Sequence, residues 1–511
     1  MSHRITFCLV CLDTWAFRDF MSFLVVSVAL LTVAVYLLYQ HLQVRKQFAG
    51  IPSPRSWPVI GHALITKPDA EGFIDQVMGM GYLYPDKPRY VLLWIGPFPS
   101  VMVFSPELME KIVTNPNHLD KGYAYDLVHP WLGLSLLTSK VERWRPKRKL
   151  LTPTFHYDIL KDFVHVFNDQ AKILVDQLRS SSLTVDIGQY VTLCALDIIC
   201  ETSMGRCVNA QRNSVSEYVR AVYRINDIIQ RRQVNPLMWN NTIFHWFGDG
   251  KEHDWALGLL KSFTKQVIQE RQAELEACDY NIEGRPAFLD LLLKMVKRGE
   301  MPIEDVQSEV DTFMFEGHDT TATGLTWALH LVGSYPEVQQ KIYEELQDVI
   351  GDSDMVTIEH LGKLQYLECC LKESLRLYPS VPIYVRKLGC DQELGDAMLP
   401  SGTQILINAF LIHRDPNHWP DPENFIPERF LTTARRHPYS FVPFSAGSRN
   451  CIGQRFALLE EKTVMAWILR NFKVVSLKRR DEVRPKAELI LRPIGGIPLK
   501  LIPREVDASS M

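Results

Sequence analysis

The longest uninterrupted apolar run lies near the N-terminus. From Met21 to Tyr39 every residue is apolar or a small hydroxyl, the hydroxyls being Ser22, Ser27 and Thr32. At helical rise such a run spans roughly 29 Å, close to one bilayer core, which predicts a membrane-spanning helix over 21–39. A cleavable leader would have a shorter apolar region and a small-residue cleavage site after it. Here Arg45, Lys46 and Arg55 follow, favouring a cytoplasmic C-terminal side, with Arg4 and Arg18 opposing. Residues 51–61 then carry Pro52, Pro54 and Pro58, the composition of a stiff extended linker. Beyond it the pattern alternates. Tyr90 to Ile95 and Ser100 to Phe104, on either side of Gly96-Pro97-Phe98-Pro99, predict a hairpin. Helical periodicity follows Lys161, Val215, Asp254 and Met301, and the longest helix opens after Pro302 and stops near Pro336. Short strands return at Val385 to Lys387, Gln404 to Ile407 and near the C-terminus. The expected fold is mainly α with a small β lobe.

Composition narrows the class. With 511 residues, 46% hydrophobic, 23% charged and a net charge of −3, neither a disordered chain nor a nucleic-acid-binding one is favoured. No Gly/Ser linker or repeat divides it, so one large domain is expected after the linker. The ten cysteines form no framework: Cys369 and Cys370 are adjacent, and Cys8-Leu9-Val10-Cys11 is a lone Cys-x-x-Cys with no second pair. That suits reduced thiols in the cytosol, where the sequon Asn240-Asn241-Thr242 would go unused.

One cysteine stands apart. The segment Phe444-Ser445-Ala446-Gly447-Ser448-Arg449-Asn450-Cys451-Ile452-Gly453 holds Cys451 between two glycines with an arginine two residues before it. Glycine suits a loop that turns closely beneath a flat ligand, and an arginine tempers the charge of a thiolate. A lone buried cysteine is more often structural. This segment, however, resembles the haem-binding loop of the cytochrome P450 superfamily at all five fixed positions: Phe444, Gly447, Arg449, Cys451 and Gly453. The resemblance implies haem b with Cys451 as axial thiolate. Upstream, Glu373 and Arg376 supply the Glu-x-x-Arg of that family, and Pro427-Glu428-Arg429-Phe430 supplies a second arginine; together they imply a buried Glu373–Arg376–Arg429 network. Taken alone, Glu-x-x-Arg would be a surface pair on one helix face.

The resemblance also assigns the longest helix, where Phe315-Glu316-Gly317-His318-Asp319-Thr320-Thr321 interrupts an apolar pattern with polar residues. Gly317 should weaken the helix locally, opening a groove, and Asp319 and Thr320 match the acid–alcohol pair that relays protons for O–O cleavage. Asp-Thr-Thr is otherwise a common helix start. With Trp144-Arg145-Pro146-Lys147-Arg148 and the residues up to His156, the stretch looks like family 4, the fatty-acid ω-hydroxylase branch, in which a glutamate at the position of Glu316 can esterify a haem methyl. An ordinary alternative pairs Glu316 with His318. Trp144, Arg148, Arg386 and Arg449 match the family's propionate partners. The chain departs from the pattern where Ser135 and Val141 replace glycines and where Pro146 falls in the first turns of the propionate helix.

The implied enzyme is a membrane-anchored monooxygenase that inserts one oxygen atom of dioxygen into a hydrophobic, lipid-like substrate. Its divisions would be an N-terminal lumenal extension (1–20), a transmembrane anchor (21–39), a basic and Pro-rich linker (40–61) and a haem-thiolate catalytic domain (62–511) on the cytoplasmic face of the endoplasmic reticulum membrane. Gly79-Met80-Gly81, like Gly248-Asp249-Gly250, lacks the third glycine of a dinucleotide-binding loop. Electrons would therefore come from a separate reductase, which the resemblance implies is NADPH-cytochrome P450 reductase with cytochrome b5 as a further partner, the acidic flavoprotein being attracted by Arg145, Lys147 and Lys149. The rival readings are a monooxygenase of xenobiotics, sterols or isoprenoids, a reductase-independent haem-thiolate isomerase, and a non-catalytic lipid-binding membrane protein.

Overall fold

The computed structural model describes residues 2–84, 89–213, 216–281, 286–432 and 436–504, with the backbone alone at 2–19, 157, 158 and 216. The N-terminal helix runs over Ser2–Gln47, well beyond residue 39. Nothing between Gln40 and Gln47 breaks a helix, and the chain turns only at Gly50, where φ is +92°. Its segment Phe20–Gln47 is long and apolar enough to cross a membrane. The lower end is fastened to the domain: Arg45 lies 4.8 Å over the Trp94 ring and donates to Ser56 Oγ at 2.7 Å, and His41 meets Trp94 edge-on.

Trp94 belongs to the predicted hairpin, Tyr90–Ile95 and Phe98–Val103. The second strand starts two residues earlier than expected because the turn needs only Gly96 and Pro97, with Gly96 at φ +60° and Ile95 facing Phe98. Gln404–Asn408 adds parallel to Phe98–Val103, and Ile383–Lys387 pairs antiparallel with it, closing a four-stranded sheet.

The core is built around a central helix, Ile303–Ser334, which begins after Pro302 and ends before Pro336. It is buried nearly all round, with polar residues such as Glu309, Asp311, His318, Asp319 and His330 buried among the apolar ones. Ile187–Met204 packs along it, with Tyr157–Ser180 and Gln454–Asn471 behind. The helix is continuous through Gly317. Glycine is needed there for close approach: a Cβ would lie 2.5 Å from Ile199 Cδ1 of the neighbouring helix. The expected weak point is therefore a contact point. The helix Val141–Leu151 starts at Val141, with Pro146 inside it.

Candidate active site

The cysteine loop closes on itself. Cys451 N–H donates to Phe444 O at 2.9 Å and Asn450 N–H to Gly447 O at 3.1 Å. Gly447 sits at φ +72°, where a Cβ would stand 2.2 Å from Val113 O, so only glycine fits. Gly453 begins the helix Gln454–Asn471, and a Cβ there would come to 4.0 Å from Cys451 Sγ. Cys451 stays accessible although protein surrounds it. Burial pushes its thiol up to about 11 and the Glu316 charge adds to this, against a hydrogen bond from Gly453 N–H and the Arg148 charge. Arg148 also grips the loop, donating to Asn450 O at 2.9 Å and Asn450 Oδ1 at 2.8 Å.

Four cations gather around this space: Lys121, Arg148, Arg386 and Arg449. Among the described residues none of them makes an ion pair, yet Arg386 is only 2% exposed. Burial lowers the pKa of Arg386 and takes Arg449 down to about 10, where neighbouring Arg386 adds to the effect. Lys121 is lowered furthest, by burial and then by Arg386 and Arg449, with Glu316 opposing. Uncompensated buried cations call for an anionic ligand. A haem, with two propionates and an iron that binds thiolate, fits both the cation set and the accessible cysteine.

The cations have different duties. Arg449 gives its terminal nitrogens to the carbonyls of Leu119, Ser139, Leu136 and Leu137 and stacks at 4.9 Å over Trp144. Trp144 and Arg449 thus clamp each other, whereas Arg386 and Lys121 keep donor capacity. Lys121, which reaches Tyr125 Oη at 3.3 Å, has no signature in the sequence, because a single lysine between Asp120 and Gly122 carries no pattern. Lys147 does not belong to the expected basic surface: it is buried against Glu309 at 2.6 Å and Leu134 O at 2.8 Å, joining its helix to the central one. Arg145 and Lys149 remain exposed.

The central helix presents Glu316 and Thr320 to a cavity of about 450 Å³ whose wall includes Leu132, Phe315, Val381, Ile383, Leu489 and Ile490. Burial raises the Glu316 carboxyl to about 7, although Lys121 opposes the shift. His318 is not its partner: that ring turns to Met314 O on another face. Thr320 Oγ1 donates to Glu316 O at 2.7 Å. Asp319 points away from the cavity. Arg492 holds both its oxygens at 2.5 Å, and Asn226 Nδ2 lies 3.4 Å away. The acid and the alcohol, adjacent in sequence, therefore face different surroundings. Arg492 was not singled out in the sequence, since 173 residues separate it from Asp319.

Elsewhere in the core, Glu373 and Arg376 are both 0% exposed and joined by two bonds of 2.7 Å, with Arg429 Nε at 3.2 Å from the same carboxylate. Arg376 also donates to the carbonyls of His413, Pro422 and Asn424, bracing the chain that leads toward the cysteine loop.

Residues 51–501 match the family described as Cytochrome P450. Human Cytochrome P450 4V2 is 46% identical over 480 residues, covering 90% of this chain and 91% of that protein. Cytochrome P450 4c3 of Drosophila melanogaster is 42% identical, covering 90% of each chain. Cytochrome P450 4c21 of Blattella germanica is 41% identical, covering 91% of this chain and 96% of its own. With the cysteine loop, the unpaired cations and the apolar cavity, these likenesses place the chain in the cytochrome P450 family, beside its family 4 members, as a haem-thiolate monooxygenase that takes electrons from a redox partner and oxidises a hydrophobic substrate.

Proposed function

We propose that this enzyme hydroxylates the terminal carbon of fatty acids. The observation that carries the reading is Glu316, an unpaired carboxyl facing an apolar cavity beside Thr320. A terminal methyl C–H is stronger than those of its methylene neighbours, so attack at the chain end needs walls that keep the weaker bonds away. In this reading Cys451 is the axial ligand, and bound haem supplies dioxygen activation with thiolate donation. Arg386 and Lys121 would hold propionates, Arg148 and Gly453 N–H would temper the thiolate, and Trp144 with Arg449 would keep the floor of the site in place. Glu316 would carry the ester to the haem edge, which removes a buried carboxylate and stiffens the wall. Thr320 would donate a proton into the cavity, and Asp319, whose carboxylate is turned to Arg492 in this structure, would be the acid behind it. NADPH-cytochrome P450 reductase, and cytochrome b5 with it, would dock near exposed Arg145 and Lys149. The Ser2–Gln47 helix would hold the enzyme in the endoplasmic reticulum membrane.

Two measurements test this. Reduced protein with carbon monoxide should show the strongly red-shifted Soret band of a thiolate ligand, and Cys451→His should lose it; an unshifted wild-type band removes Cys451 from the iron. A lipid panel with reductase and NADPH should yield terminal alcohols of fatty acids, and Glu316→Ala should shift oxidation toward interior carbons. After acid denaturation and solvent extraction, part of the haem should stay with wild-type chain and none with Glu316→Ala. Complete extraction of wild-type haem together with unchanged product positions would leave the family assignment and remove the terminal-carbon reading.

A further inference from the structure

The wall of the cavity that holds Glu316 and Thr320 offers carboxyls and no fixed cation. Among the described residues that line it none is a lysine or an arginine, and two carry carboxyls, Glu316 and Glu488. The cations that act on those carboxyls stand outside the lining: Lys121 on Glu316, and Lys486 and Arg492 on Glu488 at 2.5 and 3.1 Å. Arg231 and Arg232, on the helix Ser216–Val234 that forms part of the wall, turn elsewhere. Arg231 meets Asp227 and Asp249 at 3.0 and 3.2 Å, and Arg232 donates to the carbonyls of Met238 and Trp239 at 2.8 and 3.2 Å. The other titratable groups of the lining are uncharged at neutral pH, because burial lowers the pKa of His62 and raises those of Tyr123 and Tyr125. An ionised lipid head drawn into this space would lose its water and meet carboxyls of its own sign.

Gln230 lies in that wall, just before the two arginines. It is 3% exposed, and neither its Oε1 nor its Nε2 has a hydrogen-bond partner among the described residues. Neighbouring polar side chains of the lining are already engaged. His62 sits between Trp94 N–H at 2.8 Å and Pro54 O at 3.1 Å, Gln233 Nε2 donates to Ala124 O at 2.9 Å, and Thr320 Oγ1 donates to Glu316 O at 2.7 Å. A buried primary amide with both ends free is unfavourable, and a group that donates and accepts from one carbon satisfies both ends at once. A carboxylate satisfies only Nε2 and sets a negative oxygen against Oε1. We propose that the cavity takes lipids whose polar end is uncharged and carries both a donor and an acceptor, a protonated carboxylic acid or a primary carboxamide, and that Gln230 binds that end. The apolar chain then lies against the rest of the wall. A fatty acid enters by taking a proton from solvent, whereas its amide enters as it is. The inference rests on the lipid-hydroxylating reading of the cavity and adds to it the charge state in which the lipid binds.

The test compares dodecanoic acid, dodecanamide and dodecane on the holoenzyme, with dissociation constants read from the shift of the haem spectrum. At neutral pH the amide should bind more than about tenfold tighter than the acid. As the pH rises from 6.5 to 8.5 the affinity of the acid should fall about tenfold per unit, since only its protonated fraction binds, while that of the amide stays level. Equal affinities for acid and amide with no slope would overturn the proposal, because an ionised head would then be accommodated. Gln230→Leu should weaken the amide about tenfold and leave dodecane bound as before. An equal loss for both would assign Gln230 to packing and overturn its role as the binding group. If the leucine variant does not load haem, as the carbon monoxide band reports, Gln230→Met repeats the comparison with a side chain of nearly the same length. Product positions separate the two levels. Oxidation at interior carbons alone would remove the terminal-carbon reading, whereas the preference for an uncharged head, read from binding, stands or falls by the acid and the amide.

Discussion

Two buried arginine–carboxylate clusters in this molecule use the same chemistry for different ends. Arg376 is bound to Glu373 and to three backbone carbonyls, and Arg429 joins the same carboxylate while donating to the carbonyls of Pro420 and Asp421. Arg492 touches side chains: Asp319, Glu488 and the Tyr223 ring. An arginine committed to backbone cannot change partner without unfolding the segments it joins. One suspended between two carboxylates can. The number of backbone acceptors, more than the depth of burial, separates a brace from a movable part.

The largest effect should come from the brace. Arg376→Leu takes two charged hydrogen bonds from the Glu373 carboxylate at 0% exposure, leaving it Arg429 and the Ile426 N–H, and strips three carbonyls of a donor. Breaking a buried pair from one side costs about 3–5 kcal/mol, and the orphaned carbonyls add to it. That is a large share of the stability of an ordinary domain. No folded, haem-loaded protein should accumulate, as judged by the carbon monoxide band and thermal melting. An Arg376→Leu protein that melts like wild type would erase the contrast with Arg492.

The brace was legible in the sequence and the movable part was not, for a physical reason. Glu373 and Arg376 lie one helical turn apart, and Cys451 carries its glycines within a few residues, so local spacing encodes both. The long helices and the hairpin were legible for the same cause, because period and turn residues are local. Arg492 meets Asp319 only through tertiary packing, and Lys121 reaches the haem space as a single residue. Gly317 was visible, but its purpose was not: a helix sequence cannot tell whether its glycine weakens the helix or admits a neighbour such as Ile199. Lys147 misled for the related reason that a run of basic residues does not say which of them turns inward.

Lys147 offers an intermediate case. It joins Glu309 at 2.6 Å and Leu134 O at 2.8 Å, with the Asp305 carboxylate farther off at 3.6 Å. Glu309 also accepts from Leu136 N–H at 3.0 Å, and burial has already raised its pKa, so on losing Lys147 it can take a proton. Lys147→Met should therefore cost less than Arg376→Leu, about 2 kcal/mol by denaturant titration, with haem retained. A loss as large as that of Arg376→Leu would show that depth of burial, and not backbone commitment, sets the scale.

Per unit of pH, the smallest effect concerns a carboxyl that solves burial without a partner. Glu461, on the helix after the cysteine loop, is 2% exposed, and its Oε2 meets no hydrogen-bond donor among the described residues. A Cβ at Gly324 would lie 2.4 Å from its Oε1, so the carboxyl packs closely against the central helix at that glycine. Burial raises its pKa from 4.5 to about 8. The folded chain therefore binds a proton that the unfolded chain releases above pH 4.5. The associated stability is fully present below that pH and is lost as the pH rises through 8, with a slope of up to about 1.4 kcal/mol per pH unit. Glu460, Asp311 and Glu316 are raised too and give slopes of the same sign, so the measurement is a difference. Unfolding free energies of wild type and Glu461→Gln, taken from pH 5 to 8, should diverge, the glutamine variant falling less steeply. Parallel curves would mean that Glu461 is ionised in the folded protein and finds a cation, which would make it a third member of the comparison instead of its exception.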